Sequence, residues 1–156
     1  MIPLAALAFV APLAAKDSLG VFDDWGAFAD PSVPRCYAIA AAEKGRDDYQ
    51  AYADVGTWPR QRVRGQVHFR LSHALAAGAR VSLSLGGRRY PLTGGGADGW
   101  APDKRTDAAI VAAMRSANSM SVTATDRAGR RFTDRYSLKG AATAMDAATV
   151  GCVNVR

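Results

Sequence analysis

The sequence predicts an all-β protein: an immunoglobulin-like antiparallel β-sandwich with one or two short helices. Apolar and polar side chains alternate with a period of two in several short segments, which is typical of strands with one buried face. Turn signals separate these segments, and two stretches follow a helical period instead. About seven short strands with two minor helices favour a sandwich over a fold of alternating strands and helices.

Alternation is clearest in residues 63–71, where Val67 and Phe69 lie between polar neighbours such as Gln66 and His68. This pattern predicts a strand with one apolar face. The same reasoning predicts further strands at residues 20–25, 35–40, 52–58, 81–85, 120–125 and 132–138. Glycine-containing segments predict hairpin turns at residues 85–87 and 126–129.

Two segments depart from the two-residue period. Residues 106–117 place Ile110 and Met114 on one side of a helix, and Thr106 is in position to cap its N-terminus. Residues 139–149 are rich in Ala and predict a second helix or turn near the C-terminus. Neither segment is long enough to change the fold class.

The uncharged, Ala- and Leu-rich residues 1–15 are typical of a secretory signal peptide. A helix of this length would reach about 22 Å, shorter than the ~30 Å hydrocarbon core of a bilayer, and Pro12 would interrupt it. We therefore predict a signal peptide at residues 1–15 and a single β-sandwich domain at residues 16–156. The protein would be periplasmic or secreted, without a transmembrane span. The alternative is a buried N-terminal element.

The chain has two cysteines, Cys36 and Cys152. This number excludes a multi-cysteine zinc cluster or an iron–sulfur site. In an oxidising compartment such a pair usually forms a disulfide, whereas in a reducing cytosol the two would be unrelated buried thiols. Export therefore predicts a Cys36–Cys152 bridge, for which the chain-entropy model gives an upper limit of roughly 4–5 kcal/mol of stabilisation.

Positive charge is concentrated in the middle of the chain. The formal net charge is +6, and residues 55–97 contain seven Arg but no Asp or Glu. A candidate anion-facing surface on one strand face comprises Arg60, Arg62, Arg64, His68 and Arg70. Such a row would attract an anionic envelope or host-surface component, although a merely solvated sheet face is the alternative. Nucleic acid is not an expected partner, because no recognition motif is present.

Catalytic, metal and cofactor motifs are missing from the sequence. The two histidines, His68 and His73, have no HExxH context, and no G-x-S-x-G sequence is present. The glycine-rich residues 93–96 lack the Gly-Lys-Ser/Thr of a phosphate loop, and they predict a flexible loop. We therefore expect no enzymatic activity, no metal and no cofactor.

Three segments carry a family resemblance. Residues 20–28 (GVFDDWGAF), residues 34–40 (PRCYAIA) and residues 136–145 (YSLKGAATAM), followed by Cys152, resemble the invasion-associated locus B family of alphaproteobacteria. The resemblance extends over residues 19–152. It implies an exported, immunoglobulin-like β-sandwich without known enzymatic chemistry.

These observations predict a non-enzymatic exported protein that acts by surface interaction in the bacterial envelope or outside the cell. Two alternatives remain open at this level. One is an envelope hydrolase with an unrecognised site, which would need a histidine beside a serine and an acid in a concave pocket. The other is a structural or stress-protective periplasmic module without a dedicated ligand.

Overall fold

A computed structural model describes residues 16–43 and 48–155. The predicted signal peptide at residues 1–15 lies outside the described residues. The strands are β1 (Asp17–Phe22), β2 (Trp25–Asp30), β3 (Arg35–Ala41), β4 (Tyr52–Trp58), β5 (Val63–Arg70), β6 (Val81–Leu85), β7 (Arg88–Gly95), β8 (Asp98–Trp100), β9 (Ser119–Thr125) and β10 (Arg131–Ser137). The helices are α1 (Lys104–Met114) and α2 (Ala141–Gly151), and short 3-10 turns follow β4 (Pro59–Gln61) and α2 (Cys152–Asn154).

All strand pairs are antiparallel, in the order β1-β2-β3-β4-β5-β8-β7-β6-β9-β10. Strand β7 belongs to two sheets, because Leu92 pairs with β6 whereas Thr93 pairs with β8. The first sheet consists of β1, β2, β3, β4, β5, β8 and the second half of β7. The second sheet consists of the first half of β7 with β6, β9 and β10. Phe69 of the first sheet packs against Tyr136 of the second, with ring centroids 5.8 Å apart and both residues fully buried. The predicted all-β antiparallel fold with two short helices is confirmed.

The core follows the alternation in the sequence. In β5 the buried residues are Val67 and Phe69, and in β6 they are Val81, Leu83 and Leu85. Burying a side chain of this size contributes about 1.5–3 kcal/mol. Because side chains alternate between the two faces of a strand, a one-residue slip in register would expose the whole set and lose this contribution.

The two helices cover the first sheet. Helix α1 packs on β5 through the buried Ile110 and Met114, and α2 packs on β1, β2 and β3. Helix α1 begins earlier than predicted, because the Asp103 side chain accepts a 2.7 Å hydrogen bond from the backbone N–H of Thr106. Helix α2 follows Gly140, where a Cβ would lie 1.8 Å from the carbonyl oxygen of Phe22. Glycine at position 140 therefore lets β1 approach the start of α2.

Two segments differ from their predicted structure. The single strand expected at residues 20–25 is a hairpin of β1 and β2, with Asp23 in the left-handed region at φ 50°. The loop expected at residues 93–96 mostly extends β7, because Thr93, Gly94 and Gly95 pair with β8. Both elements are stabilised by backbone pairing to a neighbouring strand, which side-chain patterns do not reveal.

The predicted disulfide is confirmed. Cys36 of β3 and Cys152 after α2 are bonded, their Cα atoms are 5.5 Å apart, and 116 positions separate them in sequence. The bond attaches the end of α2 to the first sheet.

Candidate binding sites

The residues of the predicted anion-facing surface do not form one row. They are Arg60, Arg62, Arg64, His68 and Arg70. Their expected position on a single strand face is wrong, because Arg60 lies in the 3-10 turn Pro59–Gln61 and Arg62 ends that turn in the left-handed conformation at φ 55°. The chain therefore enters β5 only at Val63.

A bulge in β5 then separates Arg64 from His68. Gly65 adopts φ 62°, and the register of β4 with β5 shifts between Gly56 and Trp58. A bulge changes which side chains face each side of a sheet. Arg64 consequently lies on the side of helices α1 and α2, whereas His68 lies on the opposite side.

On the helix side, Arg62 and Arg64 line a cavity of about 610 Å³ between the first sheet and the two helices. We call it the arginine cavity and define it by Val55, Arg62, Arg64, Val111, Arg115 and Met145. Strand β4 supplies Val55, and the two helices supply Val111 and Met145. The cavity thus combines apolar walls with three guanidinium groups.

The three arginines differ in their partners. Arg115 donates a 2.8 Å hydrogen bond to Asp146 on α2, and both side chains are well exposed. Within the described residues, neither Arg62 nor Arg64 has an ion-pair partner. Two exposed guanidinium groups beside an apolar cavity can bind the oxygens of a carboxylate or phosphate.

On the opposite side of the first sheet, His68 lies between two carboxylates. Its Nδ1 is 2.7 Å from Asp54 Oδ2, and its Nε2 is 2.9 Å from Asp98 Oδ1. Arg70 donates a 2.9 Å hydrogen bond to the other oxygen of Asp98. Burial alone would lower the pKa of His68, but the hydrogen bonds and charges of Asp54 and Asp98 outweigh it and raise the pKa above 6.5.

Aromatic rings surround this histidine. The rings of Tyr52 and Trp100 lie 5.8 Å and 5.4 Å from the ring of His68, centroid to centroid. Together with Arg35 and Trp58 these residues line a second concavity of about 420 Å³, which we call the aromatic cleft. Burial, followed by the charges of the neighbouring carboxylates, raises the pKa of Tyr52 above 10, so its hydroxyl remains protonated at neutral pH.

Comparison with known protein families shows to which family the chain belongs. Residues 26–149 match the model of the invasion-associated locus B (IalB) protein family. The chain belongs to this family. The match includes Cys36 and both candidate sites in large part, and it ends shortly before Cys152. Comparisons with curated proteins and with solved structures gave no match.

In this invasion-associated locus B protein, each of the two histidines is paired with at least one carboxylate. Both ring nitrogens of His68 contact carboxylates, and Nδ1 of His73 is 2.7 Å from Asp48. The buried Ser72 is bonded to Asp134 through its backbone N–H and its hydroxyl. Among residues 16–43 and 48–155, no three His, Cys, Asp or Glu side chains are arranged so that they could hold a metal ion, and no helix is both long and apolar enough to span a membrane.

Sequence reasoning missed the helical half of the arginine cavity and the whole aromatic cleft. Val111, Arg115 and Met145 join the cavity only because α1 and α2 fold back over β4 and β5. The cleft had a readable signal, since Tyr52, Asp54 and Trp58 recur at even spacing on one face of a predicted strand. A search for aromatic side chains on outward faces would have found it.

Proposed function

We propose that this invasion-associated locus B protein is an exported, non-enzymatic binding protein that captures an anionic amphiphile of the bacterial envelope or of a host surface. The observation that supports this proposal most directly is the arginine cavity, in which Arg62 and Arg64 adjoin apolar walls. The anionic head would be held by the two guanidinium groups, and the apolar part would enter between the sheet and the helices. A partner of this kind acts by surface contact and requires no cofactor.

The shape and chemistry of the cavity support an amphiphile over a simple anion. Its volume of about 610 Å³ lies within the range of small-molecule sites, which are mostly apolar with a few polar groups at defined positions. Val55, Val111 and Met145 offer no hydrogen bonds, so only an apolar group would gain from contact with them. Charge neutralisation at Arg62 and Arg64 would fix the orientation of the bound molecule.

Export is supported by two separate features. The uncharged residues 1–15 have the composition of a signal peptide, and the Cys36–Cys152 disulfide suits an oxidising compartment. The test is to fractionate cells and determine the mature N-terminus and the free thiol content of the protein. We expect a chain that lacks its first residues, without free thiols, in the periplasm or medium. An uncleaved cytosolic chain with two free thiols would contradict export.

The absence of enzymatic activity is part of the proposal. It is supported by the engagement of both ring nitrogens of His68 with Asp54 and Asp98, which leaves neither to deprotonate a serine. The check is an assay of the purified protein against ester, peptide and glycoside substrates. Turnover that is abolished by His68→Gln or His73→Gln would contradict this part of the proposal.

Binding is tested by calorimetric titration with dodecyl phosphate below its critical micelle concentration. Arg62→Ser/Arg64→Ser should weaken binding about tenfold or more, whereas the matched double variant Arg88→Ser/Arg89→Ser should leave it unchanged. Both pairs remove two exposed arginines, but Arg88 and Arg89 lie on β7 outside the cavity. Equal affinities for the two variants, or equally tight binding of uncharged dodecyl maltoside, would contradict the proposed function.

A further inference from the structure

The aromatic cleft lies on the face of the first sheet opposite to the arginine cavity. Tyr52, Asp54 and Trp58 project from β4 on this side, whereas Val55, from the same strand, lines the arginine cavity. The strands that form the cleft are all internal to the sheet and are paired on both sides. The cleft is therefore a site on a sheet face and is separate from the proposed amphiphile site.

The ring of Trp58 lies over its own strand. A Cβ at Gly56 would approach two carbons of the Trp58 ring to 2.7 Å, so the ring folds back over the space that this glycine leaves. Arg35 continues the surface, with its guanidinium carbon 4.4 Å from the ring centroid of Tyr37 and 6.0 Å from that of Trp58. The result is a platform of stacked planar groups on the sheet face.

Polar groups at the cleft are held in fixed positions. His68 bridges Asp54 and Asp98, and Arg70 holds the second oxygen of Asp98. Asp54 uses only Oδ2 in the bond to His68. Among the described residues, Nε of Arg35 is buried and has no hydrogen-bond partner. A buried donor without a partner costs free energy, which marks this part of the cleft as polar and incompletely satisfied.

We propose that the aromatic cleft binds an uncharged glycan. The apolar faces of its sugar rings would lie on Trp58 and Trp100, and its hydroxyl groups would hydrogen-bond to Asp54, Arg35 and the hydroxyl of Tyr52. Aromatic platforms with a few oriented polar groups suit a ligand that is apolar on its ring faces and polar at its rim.

The charges and the topology of the cleft do not favour a strongly charged ligand or an added peptide strand. The cations Lys16, Arg35 and Arg70 lie near the carboxylates Asp54 and Asp98, so a ligand of either sign would meet like charges as well as opposite ones. An extended peptide that adds a strand needs an open sheet edge, and the cleft has none. Its volume of about 420 Å³ suits a short stretch of an oligosaccharide.

The test is titration of the disulfide-bonded protein with tetra-N-acetylchitotetraose, cellotetraose and maltotetraose, followed by tryptophan fluorescence. Trp25 is fully buried, so a ligand-induced change reports on Trp58 and Trp100. We expect a saturable change with at least one of these tetrasaccharides that is insensitive to salt. Trp58→Ala and Trp100→Ala should each weaken binding about tenfold or more, as measured by calorimetry.

Matched variants distinguish an effect on the aromatic cleft from an effect on folding or on the arginine cavity. Phe132→Ala removes a half-buried aromatic side chain from the second sheet and should leave glycan binding unchanged. Arg62→Ser/Arg64→Ser should also leave it unchanged, so failure of the proposed function would not affect this result. Because a tryptophan variant can lose its fold, Asp54→Asn serves as a second probe and should weaken binding several-fold with an unchanged circular dichroism spectrum. Absence of binding to all three tetrasaccharides, or full affinity in Trp58→Ala and Trp100→Ala, would overturn the proposal.

Discussion

Cys36 in β3 and Cys152 beyond α2 form a disulfide that attaches the end of this helix to the first sheet, and Cys152 itself lines the arginine cavity. The covalent link and the proposed ligand site therefore share one structural element. Met145 and Ala148 line the cavity on the helix that this link anchors. Any opening of the end of α2 would change the cavity directly.

Removing the disulfide should lower the stability of the protein and also weaken ligand binding at the arginine cavity. Cys36→Ala/Cys152→Ala is expected to lower the free energy of unfolding by about 2–5 kcal/mol, because the bridge constrains a loop of 116 positions in the unfolded chain. Urea unfolding monitored by circular dichroism measures the change. The wild-type protein in reducing agent should match the double variant, and a loss below about 1 kcal/mol in both would contradict this prediction.

The indole of Trp25 connects the two sheets. Its Nε1 donates a 2.9 Å hydrogen bond to the carbonyl oxygen of Ser137 at the end of β10, and the residue is fully buried. Trp25→Phe removes this donor and leaves a small void, which should cost about 2–4 kcal/mol. Trp58→Phe is the matched control, since Trp58 is only partly buried and should cost less than half as much. Equal losses in urea unfolding would show that the hydrogen bond between the sheets has no special role.

The strands with one solvated face were predictable, but the arrangement of charge was not. Alternation in β5, β6 and β9 depends on a local period, and the buried Phe69, Leu83 and Val122 follow it. The arginine row failed because a 3-10 turn and the bulge at Gly65 break that period between Arg60 and His68. Glycine permits a bulge without requiring one, so the sequence alone does not determine the face on which each arginine lies.

The ligand sites depend on contacts between distant parts of the chain. Arg64 and Arg115 are adjacent to one cavity because α1 packs on β5. His68 and Asp98 are adjacent because β8 pairs with β5, although the segment before β8 was predicted to be a loop. The disulfide was predictable from only two cysteines and a leader, since no alternative pairing existed within the chain.

The His68 network predicts a specific dependence of stability on pH. Because Asp54 and Asp98 raise the pKa of His68 in the folded protein, its contribution is complete below about pH 6.5 and is lost as the pH rises through the raised pKa. Urea unfolding should therefore show stability falling with increasing pH in this window. The fall should be smaller in His68→Gln, whereas His73→Gln, which alters the exposed pair with Asp48, should retain it. Identical pH profiles for wild-type and His68→Gln would contradict the role of this network.

Asp107 of helix α1 carries a buried carboxylate whose effect on stability can be tested. It accepts a 2.8 Å hydrogen bond from the backbone N–H of Val67, and it is 8% exposed. Burial raises its pKa above 3.8, although the bond to Val67 opposes the shift, so the ionised form is disfavoured in the folded protein. The stabilisation by this group is complete below about pH 3.8 and is lost as the pH rises through the raised pKa.

Substitutions at Asp107 should separate its charge from its hydrogen bond. Asp107→Asn keeps an acceptor for Val67 and removes the buried charge, so we expect equal or higher stability than wild type at pH 7. Asp107→Ala leaves the Val67 N–H without a partner and should cost about 1–3 kcal/mol. Urea unfolding at pH 7 compares the three proteins. Equal stability of the Asn and Ala variants would mean that this hydrogen bond does not hold α1 against β5.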